Sequence, residues 1–214
     1  MVKKLIIDTD TGVDDAMALL MALESHKRGE VEVLAITAVN GNTLESHAQR
    51  NILRTLGGWE FSKMSFSLTI FTVHLCTQLV KLRSLNNKIS SLFYISICGF
   101  IDLISDNLCL FENFFSDSIG CPDIPVYRGA TEAMVMPTPQ HENYHGEDGF
   151  NDVSFDDVPD ISRVREEKAW RVISRLSQEY PGEVNLVAIG PLTNVAIAML
   201  ADPGTQSHIG LLHI

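Results

Sequence analysis

The sequence predicts an α/β fold in which helices flank an open, mostly parallel sheet. Two observations carry this prediction. Short apolar runs rich in β-branched residues alternate with segments of helical periodicity, both near the N-terminus and in the last third of the chain. Each apolar run also ends in polar or glycine-rich residues, as buried parallel strands do. Strand–helix alternation requires crossover connections and therefore favours parallel pairing.

The N-terminal block contains two strand–helix pairs. Residues 5–8 form a short apolar run, and residues 14–25 then place Ala and Leu at helical spacing. Residues 31–39 are apolar and β-branched, which predicts the second strand. A helical pattern resumes over residues 44–56.

The C-terminal block repeats this alternation after a glycine-rich, acidic loop. Its predicted helices are followed by turn residues, for example Pro181 and Gly182. We predict strands at 122–129, 184–190 and 210–214, helices at 167–180 and 194–200, and the loop at 141–157.

Residues 59–118 differ from both neighbours in composition. They hold no Ala or Pro, a single Gly, and eight of the ten Phe residues of the chain. We therefore predict one domain over 1–214 that a foreign, poorly packed insert at 59–118 interrupts. The uncharged run 64–80 has 17 residues, the lower limit for a membrane span, but it includes His74, Gln78 and several hydroxyl side chains.

The net charge and the cysteine spacing indicate which classes of binding partner and which cellular compartment to expect. The formal net charge of −11 argues against a nucleic-acid partner. The apolar run before Asp8 is shorter than the core of a signal peptide, and no membrane partner is expected. The four cysteines follow no zinc-binding spacing. We expect reduced thiols in a cytoplasmic protein.

Four carboxylates follow the first predicted strand within eight residues. They are Asp8, Asp10, Asp14 and Asp15, and Gly12 allows the turn that would let them converge. Such a cluster is repulsive unless a cation lies within it, and oxygen ligands without Cys or His favour Ca²⁺ or Mg²⁺. Helix capping accounts for one aspartate of the four.

A second interpretation comes from Asp8 and Asp10 with Thr11 directly after them. This pattern resembles the haloacid-dehalogenase phosphatases, in which the first Asp attacks phosphorus and the second is the acid and base. Asp8 and Asp10 would take these roles. That pattern leaves the Asp14–Asp15 doublet without a function.

Five segments in order resemble the inosine/uridine-preferring nucleoside hydrolases. The first resembles the opening signature of that family, with Thr11 where the family usually has Pro. The others resemble its Gly-Asn loop, third strand, substrate loop and the strand and turn before a long helix. These segments are 8–16, 38–42, 123–129, 145–149 and 187–194.

The resemblance implies a calcium site and a catalytic base. Asp10 and Asp15 would hold Ca²⁺ together with the backbone carbonyl of Ile189, whose side chain is then free to vary. Asp10 would also take a proton from the metal-bound water, so that it is both a ligand and the catalytic residue. The implied reaction cleaves the N-glycosidic bond of purine or pyrimidine ribonucleosides.

The resemblance also implies a site for a small ribonucleoside. Asp14 would accept hydrogen bonds from ribose hydroxyls with Asn42 beside it, and His145 would lie in a loop over the sugar and base. A homo-oligomer is one assembly that the resemblance allows.

Family chains continue beyond the segments that are present here. They carry a Met-Gly-Gly strand end, further ribose ligands and a late calcium-binding Asp, and this chain stops at Ile214. The fold is therefore expected to be incomplete at its C-terminus. Because calcium takes 6–8 oxygens, a catalytically inactive fragment or weak binding protein is an alternative to the active enzyme.

Overall fold

The computed structural model of this protein describes residues 2–57, 120–135, 144–155 and 158–214. The predicted insert at 59–118 lies outside these residues, as does part of the loop predicted at 141–157. Within the described part, no helix is both long enough and apolar enough to cross a membrane.

The described residues form a six-stranded sheet in which every pair is parallel. Its order is β4-β3-β2-β1-β5-β6. The strands are β1 (Lys3–Thr9), β2 (Val31–Ala38), β3 (Val126–Tyr127), β4 (Val164–Arg165), β5 (Val184–Ala188) and β6 (Leu211–His213). The predicted open parallel α/β sheet is confirmed.

The four longer helices of the described residues lie at the positions that the periodicity predicts. The helix after β4 ends at Glu179, before Pro181 and a Gly182 that adopts φ +77°. The helices are α1 (Val13–Lys27), α2 (Glu45–Leu56), α3 (Ala169–Glu179), α4 (Thr193–Ala201) and α5 (Gly204–His208), with a short 3-10 turn at Ile161–Arg163.

The third strand is shorter than the sequence predicts. Residues 122–129 were expected to be extended, but only Val126 and Tyr127 pair with β2. Pro122 and Pro125 lack the N–H that a longer ladder would need, although the Pro125 carbonyl still accepts from Ile36 N at 3.1 Å. Strand β4 and helix α5 are too short for the periodicity to reveal.

A core lies between the sheet and helices α3 and α4. Ile6 on β1 is level with Ala35 on β2 and Leu186 on β5, so these three side chains share one face of the sheet. They pack in one buried cluster with residues of α3 and α4, among them Ile173 and Val195. The apolar face of α3 therefore holds the centre of the sheet.

The strand order changes direction at β1. Strands β2, β3 and β4 lie on one side of β1, whereas β5 and β6 lie on the other. Asp8 is level with Thr37 on β2 and Ala188 on β5, so the carboxyl ends of these three strands form one edge. In open parallel sheets, ligands bind outside the carboxyl ends of the strands at such a switch point.

Candidate functional site

A strained turn joins β1 to α1 at this edge. Thr11 adopts φ +23°, an unfavourable value for a β-branched residue, and its N–H donates to Thr9 Oγ1 at 3.1 Å. Gly12 has φ −81° and precedes α1. A Cβ on Gly12 would lie 3.0 Å from Asn42 Nδ2 and from the His145 ring. Gly12 was expected to allow the turn through its backbone freedom. The structure shows instead that position 12 has no room for a side chain, and that Thr11 has the unusual backbone angle.

Asp10 is enclosed by the loops that follow β2 and β5. Its Oδ2 accepts from Asn42 N at 2.5 Å, while its Oδ1 is buried with no hydrogen-bond partner among the described residues. A Cβ on Gly41 would come within 2.1 Å of Oδ2, and one on Gly190 within 3.1 Å of Oδ1. Burial raises the pKa of Asp10, the Asn42 N–H opposes the rise, and Asp14 adds to it.

Asn42 links the carboxylates of Asp10 and Asp15. While its backbone binds Asp10, its Nδ2 donates to Asp15 Oδ2 at 3.0 Å. The same oxygen accepts from Gly12 N at 2.8 Å, which fixes Asp15 at the start of α1. Burial, followed by repulsion from Asp10, raises the pKa of Asp15 to about 7. Two carboxylates on one asparagine thus resist ionising together.

Asp14 and His145 form a second pair beside this one. Asp14 Oδ1 lies 3.5 Å from His145 Nε2, and the Asp14 side chain is 73% exposed while His145 is largely buried. An exposed carboxylate can accept from hydroxyl groups of a ligand, and the ring beside it limits the directions of approach. Of the three residues predicted to bind substrate, Asp14 lies at the start of α1 and His145 lies beside it, while Asn42 contacts Asp10 and Asp15.

Asp8 is fully buried and serves a different purpose. Its Oδ1 accepts from Thr37 Oγ1 at 2.5 Å and from Asn194 Nδ2 at 2.8 Å. Burial raises its pKa to about 6, and those two hydrogen bonds oppose the rise. A carboxylate without solvent access cannot attack a phosphoryl group, so the structure argues against the phosphatase interpretation.

Asn194 is a residue whose importance the sequence does not reveal. Besides Asp8, its Nδ2 donates to Ala38 O at 2.8 Å, and its Oδ1 accepts from Ala130 N at 2.8 Å. It therefore joins the ends of β1 and β2 and the loop after β3 to the start of α4. A Cβ on Gly129 would lie 2.4 Å from its amide nitrogen. An Asn near a helix start is usually a cap, and this ordinary interpretation hides its role.

The backbone at Ile189 lies beside the end of β1. Ile189 N donates to Asp8 O at 2.9 Å, and the following Gly190 is the residue that confines Asp10. The half-exposed side chain makes no polar contribution, in keeping with the prediction that only its carbonyl matters. Its role as a ligand stays a prediction.

Asp10 and Asp15 offer the kind of ligand atom that a hard cation prefers, but they are only two residues. Asp10 and Asp15 provide oxygen atoms, and Asp10 Oδ1 is a buried acceptor with no hydrogen-bond donor among the described residues. Such an atom carries a desolvation cost that a cation would offset. However, no group of three or more His, Cys, Asp or Glu side chains within the described ranges is placed to hold a metal. A carbonyl ligand would therefore have to complete any site here.

The family follows from a sequence comparison. The profile of the inosine-uridine preferring nucleoside hydrolases matches residues 5–65 and 113–214. The chain belongs to this family. The family assignment from the five motifs is thereby confirmed.

Curated relatives are longer than this chain. Uridine nucleosidase 1 of Arabidopsis thaliana is 32% identical over 209 residues, which cover 97% of this chain and 43% of the relative. The pyrimidine-specific ribonucleoside hydrolase RihA of Klebsiella pneumoniae (strain 342) is 26% identical over 211 residues, 98% of this chain and 47% of its own. The chain thus spans about half the length of the relatives that it matches.

Solved structures agree with this picture of the fold. A plant nucleoside hydrolase superposes with a TM-score of 0.62 at 25% identity, covering 99% of this chain and 47% of that one. The purine-preferring ribonucleoside hydrolase from Gardnerella vaginalis gives 0.61 at 25% identity, with 98% and 47% covered. The expected incompleteness of the fold is consistent with these shares.

Proposed function

We propose that this chain carries the N-terminal part of a ribonucleoside hydrolase site that cleaves the N-glycosidic bond to release base and ribose. The buried, hydrogen-bond-free Oδ1 of Asp10 at the sheet switch point carries this proposal. Named relatives that act on uridine and other ribonucleosides support the substrate class. The buried free thiol of Cys121 suits the cytoplasm, which we propose as the compartment.

Asp10 is the proposed general base. A carboxylate that is buried and held by Asn42 N on one oxygen offers the other oxygen in a fixed direction. That carboxylate oxygen receives a proton from the attacking water. The water oxygen bonds to C1′ of the ribose while the C1′–N bond breaks and its electron pair leaves with the nucleobase.

Asp14 and His145 are the proposed sugar-binding residues, and Asn42, which was predicted to bind beside them, is proposed to position the carboxylates. Positive charge spreads over ribose as the glycosidic bond lengthens, and the exposed Asp14 carboxylate lies at the mouth of the acidic turn to accept from hydroxyl groups. His145 borders the same space at 3.5 Å. Asn42 is committed to Asp10 and Asp15, so its contribution is to hold those carboxylates at a set separation.

Calcium is the proposed metal, and Asp10, Asp15 and the Ile189 carbonyl would hold it. When bound, this cation lowers the pKa of a coordinated water and offsets the repulsion between the carboxylates. Calcium takes 6–8 oxygens, whereas the described residues include no group of three or more His, Cys, Asp or Glu side chains placed to hold a metal. This observation favours a second candidate, a weak ribose-binding fragment without turnover.

A substrate panel tests these functions on the 214-residue chain. Base release from inosine and uridine is followed chromatographically with millimolar calcium, and p-nitrophenyl phosphate hydrolysis is followed in parallel. The proposed function predicts base release that a calcium chelator abolishes. Binding of inosine without release would favour the fragment, whereas hydrolysis of the phosphate ester alone would overturn both.

A further inference from the structure

An asparagine in the middle of α2 contacts both parts of the candidate site. Asn51 is 1% exposed, and asparagine is a weak helix former whose buried amide costs free energy unless it is paired. Its Nδ2 donates to Thr11 O at 3.1 Å and to Asp148 O at 2.8 Å. Its Oδ1 accepts from Arg54 Nη1 at 3.2 Å.

The two carbonyls belong to segments far apart in sequence. Thr11 is the strained residue of the acidic turn, and Asp148 lies in the loop that carries His145. Gly149, next in that loop, adopts φ +85°, and a Cβ there would lie 3.0 Å from Asn51 Nδ2 and 3.1 Å from Thr11 O. The loop backbone thus approaches the turn as closely as glycine permits, and the Asn51 amide lies between them.

A hydrogen bond and a buried side chain within the loop hold its conformation, so the position of Asp148 also determines the position of His145. Asn151 N donates to His145 O at 2.6 Å, and Phe150 is 1% exposed. On the α2 side, Thr43 Oγ1 donates to Glu147 O at 2.6 Å. Thr43 binds the loop and His47 of α2, whereas Asn51 binds the loop and the turn together.

We propose that Asn51 is a positioning residue that holds the acidic turn against the 144–150 loop and thereby keeps His145 beside Asp14. The inference deepens the proposed function, because it names what sets the geometry of the proposed sugar-binding pair. Its test needs no turnover, so it can fail or succeed independently of nucleoside hydrolysis.

The experiment compares Asn51→Leu with Thr55→Val in the 214-residue chain. Thr55 is a matched control because it is equally buried on the same helix and donates only to Asn51 O within that helix. The first readout is the ¹³Cε1 chemical shift of His145 at one fixed pH, assigned by its loss in His145→Gln. The shift is measured with and without Asp14→Asn.

We expect Asp14→Asn to move the His145 signal in the wild-type and Thr55→Val backgrounds. In the Asn51→Leu background the change in the His145 chemical shift that Asp14→Asn causes should fall to less than about half of its wild-type size, because residues that no longer touch lose their coupling. Amide exchange of Asn151 rises about tenfold in Asn51→Leu, the size expected from losing such hydrogen bonds. A general loss of stability would raise amide exchange in α3 and the sheet as well as in the loop.

An unchanged Asp14 effect on His145 in Asn51→Leu would overturn the proposal, as would an equal loss in Thr55→Val. If Asn51→Leu does not fold, Asn51→Ser replaces it, because a hydroxyl at that position donates one hydrogen bond and cannot reach both carbonyls. The same two readouts then decide. An inactive chain in which Asn51 controls the His145 signal would reject the proposed hydrolysis and keep the positioning role.

Discussion

Helices α2 and α3 both pack on the sheet, but they bury different kinds of side chain. The buried face of α3 is almost wholly apolar, whereas α2 buries four polar residues among its apolar ones: Glu45, Gln49, Asn51 and Thr55. Glu45 accepts from Gly129 N at 2.8 Å, and Asn51 binds Thr11 and Asp148. Helix α2 thus fixes the loops of the site, while α3 stabilises the sheet.

The comparison teaches that function and stability draw on different parts of this chain. Burial of apolar side chains stabilises the fold but does not fix the orientation of the groups that pack. Hydrogen bonds at the ends of loops fix the orientation of the loop backbone but add little net stability. Changes near α2 and the acidic turn should therefore alter chemistry more than folding. Changes on α3 should do the reverse.

The largest effect is expected at Asp10. Asp10→Asn removes the proposed general base, whose loss typically costs about 10²–10⁴-fold in rate, and it also weakens the proposed calcium site. Asp14→Asn keeps an amide oxygen for ribose hydroxyls and should lose less. The measurement is kcat/KM for inosine or uridine at saturating calcium, with Glu30→Gln, at the opposite end of β2, as control.

Thermal melting of the same variants sharpens the contrast. Asp10→Asn should not lower the Tm, because it removes a buried carboxylate whose ionisation burial opposes. Equal losses of activity in the two aspartate variants would mean that the base lies elsewhere. A large drop in Tm would contradict the division between the two regions.

The next effect concerns the core of α3. Ile173 is fully buried against the sheet, so Ile173→Ala should lower the free energy of unfolding by about 2–5 kcal/mol. Thr55→Val on α2 loses one hydrogen bond and should cost about 1 kcal/mol. Urea unfolding compares them, and a larger loss in the α2 variant would break the comparison.

A smaller effect should appear in the pH dependence of stability. The folded pKa values of Asp15, about 7, and Asp8, about 6, lie above the unfolded value near 4. The folded state therefore binds more protons in this window, and stability falls as pH rises from about 4 to 7.

Asp15→Asn should flatten that slope in metal-free protein, while Glu30→Gln should leave it unchanged. Chemical unfolding at several pH values between about 4 and 8 provides the measurement. Stability that increases with pH in this window would contradict the prediction. A pH dependence that is equally steep in Asp15→Asn would show that Asp15 does not cause it.

The smallest effect is expected from removing residues 58–119. Cys121 N donates to Leu56 O at 3.0 Å, so the chain leaves α2 and returns at adjacent points. Joining Gly57 to Gly120 through two glycines should therefore preserve the circular dichroism spectrum and leave the Tm nearly unchanged. Loss of cooperative melting would show that the remaining fold depends on that segment.

Most of the fold was predictable because its signals are local. Apolar strands such as 31–39 and the periodic helix of α3 identify themselves within a few residues, and their alternation implies parallel pairing. The length of β3 and the existence of β4 were not, because two-residue strands are defined by their partners. The prolines around residue 125 shorten β3 in a way that only the ladder reveals.

The site divides in the same way. Asp10, Asp14 and Asp15 follow from an acidic cluster at a strand end, and Asn42 and His145 follow from a family resemblance. Nothing local distinguishes Thr37, Asn51 or Asn194, since each is an ordinary polar residue until its distant partners are known. Their roles depend on contacts across 29 to 186 positions of sequence.

The Asp8–Asn194 contact has a consequence for the order of events on the ribosome. Its partners are 186 positions apart, so the amide that holds the buried Asp8 is made long after the acidic turn. Until then Thr37 can already donate to Asp8, but the Asn194 amide that links Asp8 to the Ala38 carbonyl is missing. The closing of so long a loop comes late in folding. The nascent chain therefore acquires the acidic cluster early, and the hydrogen bonds that Asn194 gives to the ends of β1 and β2 form only after α4 has emerged.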